Sequence, residues 1–298
     1  MIDHLHDDKL KTLEEKANRV RQKTIEMLLE AGSGHSAGPL GLADIFVSFY
    51  FHILNHDPDN PEWDERDRFI LSNGHVCPAL YSTLAYAGYF PLEETKTLRK
   101  LGSRLQGHPH REDLPGIETT SGPLGSGLSQ AIGFALSANL SGEDWRTYCL
   151  TSDGEHDEGN LWEAVMYAGK KGSALNKLTV VVDRNNIQID GYTEDVMPLE
   201  PLAEKYKAHN WHVLRVDGHN MESFVNAVNE AHAIYEKPSV IIAHTVPGKG
   251  VDYMERDYKW HGKPPGSGTE EEVPQEKQPE EALHDLRTLG GQIESEHE

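Results

Sequence analysis

Cysteine is nearly absent: Cys77 and Cys149 are the only two in 298 residues. Two thiols so far apart make neither a disulfide framework nor a paired zinc knuckle. Positive charge is scarce as well. Twenty-eight Lys and Arg stand against 49 Asp and Glu, a formal net charge of −21. That excludes a general binder of nucleic acid or of anionic membrane, because such surfaces need net positive charge. No apolar run approaches the ~20 residues that span a bilayer. The amino terminus, MIDHLHDDKL, is acidic and polar and has none of the character of a secretory signal. A soluble protein of a reducing cytoplasm is the expectation, with no nucleic-acid and no membrane partner.

What is present reads as an α/β chain. Leu10, Leu13, Ala17, Val20, Thr24, Met27 and Ala31 step by three and four and predict a long helix, stopped at Gly32-Ser33-Gly34. A second apolar helix is predicted over 42–54. Short β-branched or apolar runs follow at 69–71, 148–150, 178–182, 213–216 and 240–243. Segments of helical character separate them at 129–140, 161–171 and 221–235. Strands apolar on both faces that alternate with helices imply a parallel sheet covered by helices on both sides. Residues 264–298 hold four prolines and ten acids against two bases, Lys277 and Arg287. Residues 1–265 are therefore expected to form the domain and 266–298 a flexible acidic tail, with one helical turn near 283–289.

Open parallel sheets bind ligands beyond the carboxyl ends of their strands. The predicted strand at 147–151 ends in Ser152-Asp153-Gly154, and the strand at 178–182 ends in Asp183-Arg184-Asn185-Asn186. The interval between them fits one β–α–β crossover, so a carboxylate and an amide oxygen would share one sheet edge. Mg²⁺ takes one or two such ligands and completes its octahedron with water and phosphate oxygens. Each dipeptide alone is usually a turn; their paired placement is the signal. Of 17 histidines, four segments stand out: Gly34-His35-Ser36-Ala37-Gly38, Ser72-Asn73-Gly74-His75, Gly107-His108-Pro109-His110 and Trp260-His261-Gly262. Imidazoles suit proton movement on carbonyls and hydroxyls, although any single histidine is more often a satisfied structural one. A zinc site at His108 and His110 is discounted for want of an HExxH helix or a cysteine pair. The Gly-rich run 120–127 leads into an apolar helix whose amino end could face a cofactor, but it is no clean dinucleotide loop.

Together these segments resemble transketolase, in its thiamine-diphosphate-binding N-terminal part. The resemblance rests on GHSAGPLGLADI (34–45), LSNGHVCPALYSTLAYAGYF (71–90), LGSRLQGHP (101–109), TTSGPLGSGLSQAIGFAL (119–136), SDGEHDEGNLWEAVMYAG (152–169), DRNNIQIDG (183–191) and HTVPGKGVDYMERDYKWHGKPP (244–265). It implies a thiamine-diphosphate-binding domain of PP type. It implies Asp153, Asn185 and the backbone oxygen of Ile187 as ligands of Mg²⁺ or Ca²⁺. Gly154, His75 and His261 correspond to residues contacting the diphosphate, and Gly122 and Leu124 to the loop packed on the cofactor rings. His35, His108 and His261 match histidines that bind and polarise the sugar donor; Glu158 and Glu163 match acids between two active sites at a subunit interface.

The implied reaction is reversible transfer of a two-carbon ketol unit from a ketose phosphate to an aldose phosphate, as in the pentose phosphate pathway. Two departures stand out. Ser152 replaces the usual glycine before the aspartate, where the metal site is expected to survive, and no position matches the family's pyrimidine-binding domain with its proton-relaying glutamate. The chain is therefore expected to be the N-terminal subunit of a split transketolase, paired with a separate C-terminal subunit in a heterotetramer. The alternatives are another split thiamine-dependent enzyme (an unusual-sugar or sulfo-sugar transketolase, or a 2-oxoacid dehydrogenase α-like subunit) and a non-catalytic scaffold.

Overall fold

A computed structural model of the protein describes residues 2–267 and 273–297. The amino-terminal periodicity becomes α1 (Asp7–Ala31), with Leu13, Ala17, Val20, Thr24 and Met27 on its buried stripe. Asp7 and Asp8 sit in its first turn, where the helix dipole favours acids, and Gly32 closes it in the left-handed conformation, its N–H bonded to the Leu28 carbonyl. The next helix, α2 (Ala37–Ser48), starts earlier than the predicted 42–54 and runs into a single π-turn at Phe49–Ile53. Pro39 and two glycines disguise its start. Proline is tolerated in a first turn, and Gly41 is required because a Cβ there would meet the Val246 carbonyl oxygen at 2.9 Å.

In chain order there follow β1 (Arg68–Leu71), α3 (Cys77–Ala87), α4 (Gly127–Ser141), β2 (Thr147–Ser152), α5 (Gly159–Lys171), β3 (Leu178–Arg184), a small hairpin of β4 (Ile187–Gln188) and β5 (Gly191–Tyr192), α6 (Thr193–Val196), α7 (Leu202–Ala208), β6 (His212–Asp217), α8 (Met221–His232), β7 (Ser239–His244) and α9 (Gln278–Glu296). All five predicted strands form, and they make one parallel sheet of order β1-β2-β3-β7-β6. Side-chain alternation divides the core into two layers. Phe69, Leu71, Tyr148, Leu150, Val181 and Ile241 pack against α1, α2, α3 and α8. Ile70, Cys149, Val180, Val182, Val240 and Ile242 pack against α4, α5 and α7. The chain reverses direction at β7, and the helix of that connection, α8, lies on the face opposite α5, as a fixed crossover hand requires. Helix α3 carries no periodic stripe because its residues Cys77 through Ala85 are all buried.

The expectation of a flexible tail needs correcting. Residues 268–272 lie outside the described residues, but Gln278–Glu296 forms the 19-residue helix α9. Ala282, Leu286 and Ile293 are its buried residues, and the Leu286 carbonyl accepts a 2.8 Å hydrogen bond from Asn18 Nδ2 on α1. Ala282 and Leu286 join Ile25, Leu40, Met254 and Trp260 in a third apolar cluster. The apolar stripe, not the overall charge, decides the conformation. Both cysteines are buried and unpaired by disulfide, as packing residues should be.

Candidate active site

Three neighbouring strands end at one edge, and the segments after them converge: 72–75 after β1, 153–155 after β2 and 185–187 after β3. With the α1–α2 turn, residues 107–108, the 122–124 loop and residues 260–262, they enclose a cavity of about 330 Å³. It is lined by His35, His75, His108, Gly122, Leu124, Ser152, Gly154, Ile187, Gln188, Ile189 and His261. A larger hollow of about 550 Å³ lies between the 111–120 segment and α4. Its carboxylate, Glu118, is engaged in a bidentate bond to Arg66, and Arg111 also lines it.

Three of the four histidines form a triangle. Ring centroids are 4.9 Å apart for His35 and His75, 5.1 Å for His75 and His261, and 5.5 Å for His35 and His261. The Ser36 hydroxyl holds two of their turns together by donating to the carbonyls of Lys263 (2.6 Å) and Trp260 (3.2 Å). Burial lowers the pKa of His35 to about 3, reinforced by His261 and His108. Burial lowers His261 to about 4 and holds His75 well below its ordinary value. His108 is lowered by burial and then by Arg99. These rings are thus neutral at pH 7 and can present an N–H without carrying charge. The Nδ1 atoms of His35 and His261 are buried with no hydrogen-bond partner. Buried polar atoms left unpaired are rare in folded proteins, and here they belong to rings that line a cavity.

Asp153 is fully buried. Its Oδ1 accepts from the Gly154 N–H (2.8 Å), and its Oδ2 accepts from the Asn186 N–H (2.6 Å) and from Arg184 (3.0 Å). The turn that carries Asn185 is therefore bonded directly to Asp153. Asn185 donates from Nδ2 to Asp183 (2.8 Å), which fixes the amide so that Oδ1 accepts from the Ile187 N–H (3.0 Å). Burial raises the Asp153 pKa to about 6 against the pull of Arg184, and burial raises Asp183 to about 7, with the Asp153 charge adding to it. A cation at this edge would relieve both. Among the described residues no three His, Cys, Asp or Glu side chains converge on a metal position. The oxygens of the Asp153 carboxylate and the Asn185 amide, on these two bonded turns, are hard donors of the kind that suit Mg²⁺ or Ca²⁺. Ser152 is accommodated because it is still strand, paired in register with Asp183.

Glu158 and Glu163 stand apart from this cluster. Both are exposed, Glu158 immediately before α5 and Glu163 on its outward side. Two residues of the site escape sequence reasoning. Arg184 is buried and bonds Asp153, Glu194 and Glu200; a charged residue ending an apolar strand is the one available signal. Glu155 is fully buried beside Ser72, Gly125 and Ser152, and nothing in the local sequence distinguishes it from a turn residue.

Residues 12–279 match the family model for the transketolase thiamine diphosphate binding domain. Over 243 residues the chain is 43% identical to the 6-deoxy-6-sulfo-D-fructose transketolase subunit of a Clostridium species, covering 82% of this chain and 88% of that protein. It is 38% identical over 288 residues to one of the subunits of the apulose-4-phosphate transketolase of Phocaeicola vulgatus, covering 97% and 98% of the two. The solved transketolase of Leishmania mexicana superposes with a TM-score of 0.81 at 32% identity; 96% of this chain corresponds to 45% of that one. The chain likewise spans 39% of transketolase 2 of Escherichia coli, at 41% identity.

Proposed function

The chain belongs to the family of transketolase thiamine diphosphate-binding domains, and from that premise we propose that it acts as the N-terminal subunit of a two-subunit transketolase, moving a two-carbon ketol unit from a ketose phosphate to an aldose phosphate. The observation that carries this reading is the edge-to-face pair of His35 and His261, each with a buried, unpartnered Nδ1, in the lining of a cavity that Ser152, Gly154 and Ile187 of the Asp153 and Asn185 turns also line.

In this reading Asp153, Asn185 and the Ile187 carbonyl hold Mg²⁺ or Ca²⁺. Gly154, His75 and His261 contact the cofactor diphosphate, while Gly122 and Leu124 wall its rings. Thiamine diphosphate, when bound, supplies a nucleophilic carbon able to carry the ketol unit between donor and acceptor. The rest is work for the chain's own groups. His35 and His261, kept neutral by burial, donate hydrogen bonds to the sugar oxygen on which negative charge grows. A donor so placed is worth ~3 kcal/mol of barrier. His108, exposed at the wall, binds the donor's terminal hydroxyl and so sets specificity.

The proton-relaying glutamate would come from a separate C-terminal subunit, in a heterotetramer where Glu158 and Glu163 meet their copies between the active sites. Two things support such a partner. Exposed Leu124 and Ile189 line the cavity, and two relatives spanned almost end to end are named as subunits. No helix among the described residues is long and apolar enough to cross a membrane; the proposed setting is the cytoplasm. The test is ketol transfer to ribose 5-phosphate by the chain with and without a pyrimidine-binding partner. Donors would be xylulose 5-phosphate, 6-deoxy-6-sulfo-D-fructose and apulose 4-phosphate in turn. Transfer by the pair alone supports the proposal; no transfer from any donor removes it.

A further inference from the structure

The loop 122–124 forms one wall of the cavity, and the carboxylate bonded to the adjoining Gly125 comes from a residue with no part in the chemistry proposed above. Glu155 follows Gly154 by one position and is fully buried. Its Oε1 accepts two hydrogen bonds, from the Ser72 hydroxyl (2.6 Å) and from the Gly125 N–H (2.8 Å). Its Oε2 accepts a third, from the Ser152 N–H (2.8 Å). Ser72 in turn accepts from the Gly127 N–H at 3.1 Å. One carboxylate therefore joins the end of β1, the end of β2 and the loop that walls the site.

The arrangement also completes a helix. Gly127 is the first residue of α4, whose preceding Ser126 makes no side-chain cap and donates to the Pro123 carbonyl instead. The orphan N–H at this helix start is served from across the sheet edge by Ser72, which Glu155 orients. Glycine is needed at 127 because a Cβ there would overlap the Ser72 side chain. Charge-assisted bonds of this kind are stronger than neutral ones, and three on one buried carboxylate leave it little freedom to move.

We infer that Glu155 is the positioning residue for the cofactor-facing loop, holding Gly122 and Leu124 at the cavity wall through Gly125 and through Ser72–Gly127. The inference rests on the functional reading above for what the loop packs against, but not for the loop's attachment. Glu155→Gln turns one acceptor oxygen into a donor that faces an N–H or O–H. Ser72→Ala removes only the second branch.

Amide hydrogen exchange of the full chain tests the attachment directly. In Glu155→Gln, exchange at Gly125 and Gly127 should accelerate tenfold or more, as expected for loss of one charge-assisted bond, while the amides of β3 stay unchanged. In Ser72→Ala only Gly127 should accelerate. Loop exchange equal to that of the parent in Glu155→Gln overturns the inference, as does equal acceleration throughout β3, the mark of general destabilisation. Should Glu155→Gln fail to fold, Ser72→Ala decides: a faster Gly127 beside an unmoved Gly125 supports the two-branch anchor, and any other pattern overturns it. Thiamine diphosphate affinity of the assembled protein is read separately, with about tenfold weakening expected in Glu155→Gln. A parent that binds no cofactor would sink the functional reading and leave the exchange result standing.

Discussion

His35 and His261 stand edge to face, their ring centroids 5.5 Å apart at 87°, and each keeps a buried Nδ1 without a partner. They come from the turn between α1 and α2 and from the segment between β7 and α9, and the Ser36 hydroxyl bonds the two together. Two neutral imidazoles can stand this close, where two imidazolium ions would repel one another.

Their titration follows. Burial places the folded-state pKa values at about 3 for His35 and about 4 for His261, against 6.5 for an unperturbed ring. The unfolded chain binds protons first on acidification, so the stability that neutral rings contribute is complete above pH 6.5 and is lost as pH falls from there toward 4 and 3. Ring-proton NMR of the full chain should show His261 still neutral at pH 5. A midpoint near 6.5 for either ring would contradict the buried geometry.

A second titration lies far from the site. Asp44 is fully buried, which by itself would raise its pKa, but Arg21 and His219 outweigh burial and hold it at about 2 against 3.8. Here the contribution is present above pH 4 and lost as pH falls through 2, roughly 2 kcal/mol in all, about half of it between pH 5 and pH 3. Urea unfolding at those two pH values should therefore show a smaller loss in Asp44→Asn than in the parent, by roughly 1 kcal/mol. Equal losses would mean the ion pair does not form.

Helix α9 gives a test of the fold. Leu286 is fully buried, and its side chain faces Gly250. Leu286→Ala should cost about 2–5 kcal/mol of unfolding free energy. A loss under ~0.5 kcal/mol, the scale of surface substitutions, would return this segment to the flexible tail that its composition suggests.

Legibility divides along physical lines. Strands β1, β2, β3 and β7 are readable because each is buried on both faces and so is a short apolar run, whereas the edge strand β6 is partly exposed and shows only as the β-branched stretch 213–216. The histidines are readable because turns built on Gly34, Gly74, Gly107 and Gly262 announce themselves. Helix α9 is hidden because it lies in a proline-rich, acidic stretch, and its stripe of Ala282, Leu286 and Ile293 shows only at helical spacing. Helix α3 is hidden for the opposite reason, having no polar face to set a period. Arg184 and Glu155 are unreadable because their roles exist only once separate strands are in register. Arg184 meets Asp153 across β2 and β3, and Glu155 meets Ser72 across the β1 and β2 ends.

The most direct measurement is calorimetric titration of thiamine diphosphate into the chain, alone and with a pyrimidine-binding partner, with Mg²⁺ or with a chelator. Asp153→Asn is the informative variant, since Asp153→Ala would also leave the buried Arg184 guanidinium short of a partner. The expected result is binding that requires the divalent ion and weakens at least tenfold in Asp153→Asn while the fold persists. Binding of equal strength in the presence of chelator, or in Asp153→Asn, would contradict a cation held between Asp153 and Asn185.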